Sequence, residues 1–411
     1  HQGALVDEDF AGKPAVEGIV HVATLAPIRG GWTAGRTWGI SAGRSSRTIT
    51  TDGHAPALSW PGEVPMKTFR PTFRWLWLAC CLLLAGFGPG SVAKPSGAGY
   101  DYYRIGKLDA ARPGTTEPAL LLMGGGDWPP AAFAWFAARG GHGHFVVLRA
   151  SGADELQKEL YEDIGGVASV QTLVFHDRAA ASDPRVLEIV RSADGIFIAG
   201  GDQANYVRFW KGTPLNALLE RHVAQGKPLG GTSAGLAILG RFAYGALDGG
   251  SITSDEALAD PLGKAVTVVE GFLHLPYLQH VITDTHFHAR KRLGRLVAFI
   301  ARLRHEGHAD VIGLGVDEDA ALCVEADGQG HLVTLNDGFA WLVRPAGPPA
   351  RVVAGQPLDY RGIRVTGIGP HSRIDLRDLS VQRPAFEVTA DVRDGKLELH
   401  GDAVPAATPA G

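Results

Sequence analysis

Gly231-Thr232-Ser233-Ala234-Gly235 is the stretch on which the reading of this chain turns. Immediately after Ser233 comes an Ala/Leu/Ile-rich segment, Leu236 to Phe242, that can be helical. Short strand, glycine-bracketed serine and helix form the context that a G-x-S-x-G nucleophile elbow requires. The glycines have a steric job: a side chain pointing out of a sharp strand-to-helix turn forces its neighbours into close backbone contact, where a Cβ would clash. A helix start also leaves unpaired backbone N–H groups that can face a developing oxyanion. With 55 glycines among 411 residues the five-residue pattern is weak alone, so its surroundings carry the weight.

Those surroundings supply two further glycine corners. The apolar run Ala119 to Met123 ends in Gly124-Gly125-Gly126-Asp127, and Gly195 to Ala199 ends in Gly200-Gly201-Asp202-Gln203. Between and after them apolar runs alternate with amphipathic stretches. Phe145 to Leu148, Val170 to Phe175, Val311 to Val316, Ala320 to Val324, His331 to Leu335 and Ala340 to Val343 read as strands, and Val266 to Leu273 as strand-like. Helices are expected from Pro130 to about Arg139, over Ala153 to Tyr161, from Pro184 through Val190 and over Leu296 to Leu303. Asp183 before Pro184 is a helix-start signal. Continuous apolar strands separated by helices predict an α/β fold with a largely parallel sheet sandwiched by helices. Ligands collect beyond the carboxyl ends of such strands, where the two glycine corners and the Ser233 elbow all fall.

The amino end stands apart from this pattern. Met66-Lys67-Thr68-Phe69-Arg70 and Arg74 form a basic region, Trp75 to Phe87 is an apolar run of signal-peptide length, and Ser91-Val92-Ala93 is a small-x-small cleavage site. Residues 66–93 are therefore expected to be a signal peptide, and the run is too short to span a bilayer comfortably. That implies a secreted or periplasmic protein with no membrane attachment after cleavage. Residues 1–65 read either as upstream sequence carried along by a misplaced start or as a disordered extension; the first is preferred, because a buried signal sequence would not normally function. Residues 94–345 are expected to form the catalytic α/β domain and 346–400 a β-rich extension of alternating apolar segments and turns. Residues 401–411 read as a disordered tail.

Hydrophobic content of 45% and charged content of 20% suit a globular chain with a sizeable core. The net charge of -4 and the lack of a long basic run with interleaved aromatics argue against nucleic acid as a partner. Cys80 and Cys81 lie in the segment expected to be removed, which leaves Cys323, between Leu322 and Val324, as a core filler.

A serine hydroxyl is too weakly acidic to attack a carbonyl unaided and needs a base, usually a histidine oriented by a carboxylate. His274, His280, His286 and His288 follow Ser233; His286 is the best placed, after an apolar stretch and at the start of a basic helix. Glu256 and Asp255 are candidates to orient it, since they give the chain order Ser, acid, His. Asp284 competes on proximity, although a residue two positions away in an extended segment points away from His286. Arg292 and Arg295, three apart in a cluster with Arg290 and Lys291, share a helix face that could clamp a carboxylate. Asp284 with His286-x-His288, and His142-x-His144, suggest metal binding only weakly, because no H-E-x-x-H spacing accompanies them. Neither a metal nor a cofactor is expected, and no Walker lysine or dinucleotide spacing follows Gly124-Gly125-Gly126.

Together these stretches, including Asp284-Thr285-His286-Phe287 followed by Arg290, Arg292 and Arg295, resemble the cyanophycinase family of serine peptidases, relatives of the aspartyl dipeptidases. The resemblance covers roughly residues 118 to 325. It implies a class I glutamine amidotransferase-like (flavodoxin-like) sheet, Ser233 as nucleophile, His286 as general base and a glutamate, matched by Glu256, as third member. It further implies a substrate pocket of Gln203, Asp284, Thr285, Arg292 and Arg295. Backbone N–H groups at Gly125, Gly126 and Ala234 would hold the oxyanion. The implied substrate is cyanophycin, a polyaspartate whose β-carboxylates carry arginine, released as β-aspartyl-arginine dipeptides; several members are homodimers. An aspartyl dipeptidase or amidase on small acidic peptides is the alternative within enzymes. A non-catalytic exported binding protein is the alternative outside them.

Overall fold

The computed structural model describes residues 99–401 and Val404. Residues 1–98, with the expected signal peptide, and most of the expected tail lie outside the described residues.

The first half alternates strand and helix, as its apolar runs predict. After β1 (Tyr100–Gly106) come β2 (Leu120–Met123), α1 (Pro130–Arg139), β3 (His144–Arg149), α2 (Glu155–Lys158), β4 (Ser169–Phe175) and α3 (Pro184–Ser192). Next are β5 (Gly195–Ile198), α4 (Gln203–Trp210), α5 (Pro214–Ala224), β6 (Leu229–Thr232) and the single turn α6 (Ala234–Ala237). Local chemistry sets the helix starts: the Asp183 carboxylate accepts from the N–H groups of Arg185 and Val186 with Pro184 in the first turn. β4, β3, β5, β6 and β2 lie parallel in that order. All residues of β2, β4, β5 and β6 are buried, as strands covered on both faces must be.

The second half contains β7 (Phe242–Tyr244), α7 (Ser254–Ala259), β8 (Val268–Glu270), β9 (Val281–Asp284), α8 (Leu293–His305), β10 (Ile312–Val316), β11 (Ala320–Val324), β12 (Gln329–Thr334) and β13 (Ala340–Pro345). It closes with β14 (Tyr360–Ile368), β15 (Arg373–Asp375), β16 (Ser380–Gln382), β17 (Phe386–Arg393) and β18 (Lys396–Gly401). The expectation of one largely parallel sheet is corrected here. A second, eight-stranded sheet runs β18-β17-β14-β13-β10-β9-β7-β8, and only its β7, β9 and β10 are parallel to one another. Among the described residues no helix follows α8 to carry a crossover, so the strands after β10, joined by turns, pair antiparallel. Residues 346–400 supply strands to both sheets: β15 and β16 extend the first, while β14, β17 and β18 extend the second. The helix expected over Leu236 to Phe242 ends at Ala237, and Phe242 already begins β7.

Three buried clusters bind these layers. Leu122 and Leu322 of the first sheet meet Leu314 and Leu342 of the second, together with Val186 and Leu219 of α3 and α5. Phe133 and Phe136 of α1 cover the other face of the first sheet against Phe145 and Phe197, and α8 covers the second sheet through Leu296, Phe299 and Ile300. Cys323 is fully buried in β11, and burial pushes its thiol up to about 12. Among the described residues, no helix is long and apolar enough to cross a membrane.

Candidate active site

The site assembles at the ends of three parallel strands of the first sheet and two of the second. Gly124 follows β2, Gly200 follows Ala199 after β5, Ser233 follows β6, His286 follows β9 and Glu318 lies just past β10. Ser233 sits at φ 51 and ψ -120, a conformation that costs energy for any residue with a Cβ and persists only where the surroundings enforce it. The bracketing glycines do so: a Cβ on Gly231 would lie 2.7 Å from the Gly235 carbonyl carbon, and one on Gly235 would collide with the Ile198 carbonyl.

His286 is fastened by its N–H to the Gly124 carbonyl at 2.8 Å, which ties the second sheet's loop to the first glycine corner. Its ring packs flat against Gly125, where a Cβ would fall 2.6 Å from Nε2. The Ser233 hydroxyl lies 2.7 Å from His286 Nε2, and Nδ1 lies 2.5 Å from Glu318 Oε1. With Glu318 ionised, Nδ1–H donates to the carboxylate and Nε2 accepts from the serine hydroxyl, the tautomer a general base needs. Burial pushes the His286 imidazole below the ordinary histidine value, while Glu318 pulls against that shift and Arg290 adds to it. The ring is therefore neutral near neutral pH.

The acid expected from the sequence is corrected. Glu256 is exposed on the first turn of α7, where it accepts from the Thr253 N–H at 2.9 Å and from the Thr253 hydroxyl at 2.7 Å. Thr253 returns a capping bond, so Thr253-Ser254-Asp255-Glu256 is a capping box. Asp255 is exposed on the same turn, and Asp284 faces Arg295. Glu318 follows His286 in the chain and so falls outside the order Ser, acid, His. The available signal was Asp317-Glu318-Asp319 closing an apolar strand whose end falls on the ligand-bearing edge.

A cavity of about 400 Å³ opens onto Ser233. Gln203, Thr285 and Arg292 of the expected substrate residues line it, joined by Arg208, Ser251, Arg290 and Ala234. Ala234 is the first residue of α6, so its N–H is one of the donors a helix start leaves free. Gly125 and Gly126 do not line the cavity; they seat the His286 ring and Asp319 instead.

Asp284 and Arg295 lie behind the cavity wall, which corrects their expected place in the pocket. Each side chain is 2% exposed, and Arg295 grips the carboxylate through Nε at 2.8 Å and Nη2 at 2.5 Å. Its remaining Nη1 donates to Ser251 Oγ at 2.8 Å and to the Ile252 carbonyl at 3.1 Å. Arg292 differs. Its Nη1 donates to the Thr285 carbonyl at 2.8 Å and hydroxyl at 3.1 Å, and its Nη2 to Ser251 Oγ at 3.3 Å. Burial pushes Arg292 down to about 10, still protonated at neutral pH. Arg208, Arg290 and Arg292 against the single lining carboxylate of Asp202 make the cavity cationic.

Residues 155–332, which include Ser233, His286 and Glu318, match Peptidase family S51. A cyanophycinase of Synechococcus elongatus is 35% identical over 245 residues, covering 58% of this chain and 70% of that protein. A cyanophycinase of Trichormus variabilis is 27% identical over 289 residues, covering 67% and 91%. Among solved structures, a peptidase from an acI-B1 Actinobacterium matches 64% of this chain and 98% of its own length, at 16% identity and a TM-score of 0.44.

Proposed function

The chain belongs to peptidase family S51 and is a serine peptidase, and from that premise we propose that it hydrolyses cyanophycin to β-aspartyl-arginine dipeptides through an acyl-enzyme. The observation that carries the reading is the continuous relay from the Ser233 hydroxyl through His286 to Glu318 at the mouth of a cationic cavity. Ser233 Oγ attacks the scissile carbonyl while its proton passes to His286 Nε2. Glu318 holds the ring and stabilises the imidazolium so formed. The Ala234 N–H, one of the donors left free at the start of α6, holds the oxyanion. His286 then protonates the leaving amine, and water, deprotonated by the same imidazole, releases the acyl group.

Arg292, with the neighbouring Arg290, draws a substrate carboxylate into the cavity, which suits an aspartyl residue at the acyl side of the cut. The relatives at 27–35% identity bear the name cyanophycinase, which favours the polymer over short aspartyl peptides. Export belongs to the same proposal, supported by the basic region, apolar run and small-x-small site of residues 66–93. Incubation with cyanophycin and mass analysis of the products tests it. β-Aspartyl-arginine is the expected product; intact polymer beside rapid cleavage of Asp-Xaa dipeptides would move the assignment to an aspartyl dipeptidase.

A further inference from the structure

Ser251 belongs to the Gly/Ser/Asp-rich segment between β7 and α7, where the sequence shows no motif. The structure nonetheless fixes it tightly. The buried Tyr244 hydroxyl donates to the Gly250 carbonyl at 3.0 Å and accepts from the Ile252 N–H at 3.1 Å, so one phenol pins the residues on both sides of Ser251. Thus held, Ser251 Oγ accepts from Arg295 Nη1 at 2.8 Å and Arg292 Nη2 at 3.3 Å. A serine hydroxyl has two acceptor lone pairs and one donor proton. Both lone pairs face guanidinium donors, so what remains to the hydroxyl is its O–H. Ser251 is exposed and lines the cavity that opens onto Ser233.

We propose that the Ser251 hydroxyl donates to a substrate carboxylate beside Arg292, so that the anion clamp of this site is one arginine and one serine. Arg295 cannot be the second prong, since its guanidinium is committed to Asp284, Ser251 and the Ile252 carbonyl. Its contribution passes through Ser251. Two cationic donors on one oxygen polarise the hydroxyl and strengthen the bond it gives. The ligand is a carboxylate-bearing acyl residue such as aspartate, and this assignment rests on the peptidase reading above.

The test is steady-state kinetics of Ser251→Ala, Ser251→Cys and Ser251→Thr on a soluble multi-arginyl-polyaspartate oligomer, with acylation by a neutral fluorophosphonate measured in parallel. A hydrogen bond to a charged group predicts a KM raised about tenfold or more for the alanine variant, with kcat changed less than about twofold. Ser251→Thr keeps the donor and is expected to restore KM. Ser251→Cys, close in shape but a feeble donor, is expected to behave like alanine and carries the test should the alanine variant not fold. Unchanged KM in the alanine and cysteine variants overturns the proposal. So does an equal loss in acylation by the neutral probe, because that pattern marks a loop tether and not a carboxylate donor. Wild-type protein that neither cleaves the oligomer nor takes the probe defeats the peptidase reading itself, and this inference falls with it.

Discussion

Replacing Glu318 by glutamine keeps the side chain's length and shape while removing the charge behind His286. The structure fixes how large the effect should be. Glu318 Oε1 stands 2.5 Å from His286 Nδ1, a charge-assisted contact, and among the described residues this is the carboxylate hydrogen-bonded to that ring. Loss of such a group lowers turnover by up to about 10⁴ in a serine triad. Here the carboxylate is 36% exposed, and water screens part of its charge. We therefore expect Glu318→Gln to lower kcat by about 10² to 10³, equivalent to about 3 to 4 kcal/mol of barrier. The paired variant is Glu256→Ala, which opens the capping box at the exposed start of α7. It should lower the thermal midpoint slightly and leave kcat within about twofold, the range expected of a surface change remote from the chemistry. The assay is single-turnover cleavage of a soluble oligomer with both variants and wild type. A Glu256→Ala enzyme slowed a hundredfold beside a near-normal Glu318→Gln enzyme would refute the reasoning.

Three further expectations follow from particular contacts. Gly125→Ala places a Cβ 2.6 Å from His286 Nε2 at a φ of 116, so it should cost about 10² in kcat/KM by displacing the ring; near-normal rates would mean the ring is not held there. Because burial lowers the His286 pKa, the neutral base persists below the ordinary histidine value of about 6.5, and kcat/KM should fall only as the pH drops beneath that value. Glu318→Gln removes the partner that raises this pKa, so its acid limb should lie further toward low pH; a wild-type midpoint above about 6.5 in the rate profile would contradict the assignment. Asp284→Asn leaves the buried Arg295 guanidinium without its counter-charge and should destabilise the fold by about 3 to 5 kcal/mol, measured by urea unfolding. A loss below about 1 kcal/mol would show the pair to be replaceable by neutral hydrogen bonds.

The parts of the site that announce themselves in sequence are those made by local chemistry. Ser233 was legible because its strained turn demands glycine at Gly231 and Gly235, and His286 because it follows an apolar run and precedes the dense basic turn that leads into α8. Glu318 was not, since its meeting with His286 depends on β9 and β10 lying side by side in parallel, a non-local pairing that no short motif encodes. Within Asp317-Glu318-Asp319 the side chains diverge. Asp317 is buried and accepts from the His288 and Phe339 N–H groups and from Trp341 Nε1, while Asp319 accepts from the Asp127 N–H and from Asn336. Glu256 misled for the opposite reason. Its chemistry is local, and Thr253-Ser254-Asp255-Glu256 before Ala257-Leu258 already spelled a helix cap. The parallel core of the first sheet was readable from strands apolar on both faces. The second sheet was not, because its late strands are assembled by turns and long-range antiparallel pairing.

Everything chemical in this account requires that the Ser233 hydroxyl be activated by His286. Labelling with a fluorophosphonate followed by peptide mapping measures that directly. Activation by His286 predicts one modified residue, Ser233, with labelling abolished in Ser233→Ala and slowed by about 10³ or more in His286→Ala. An unlabelled wild-type protein, or a label carried by any other serine, would contradict it.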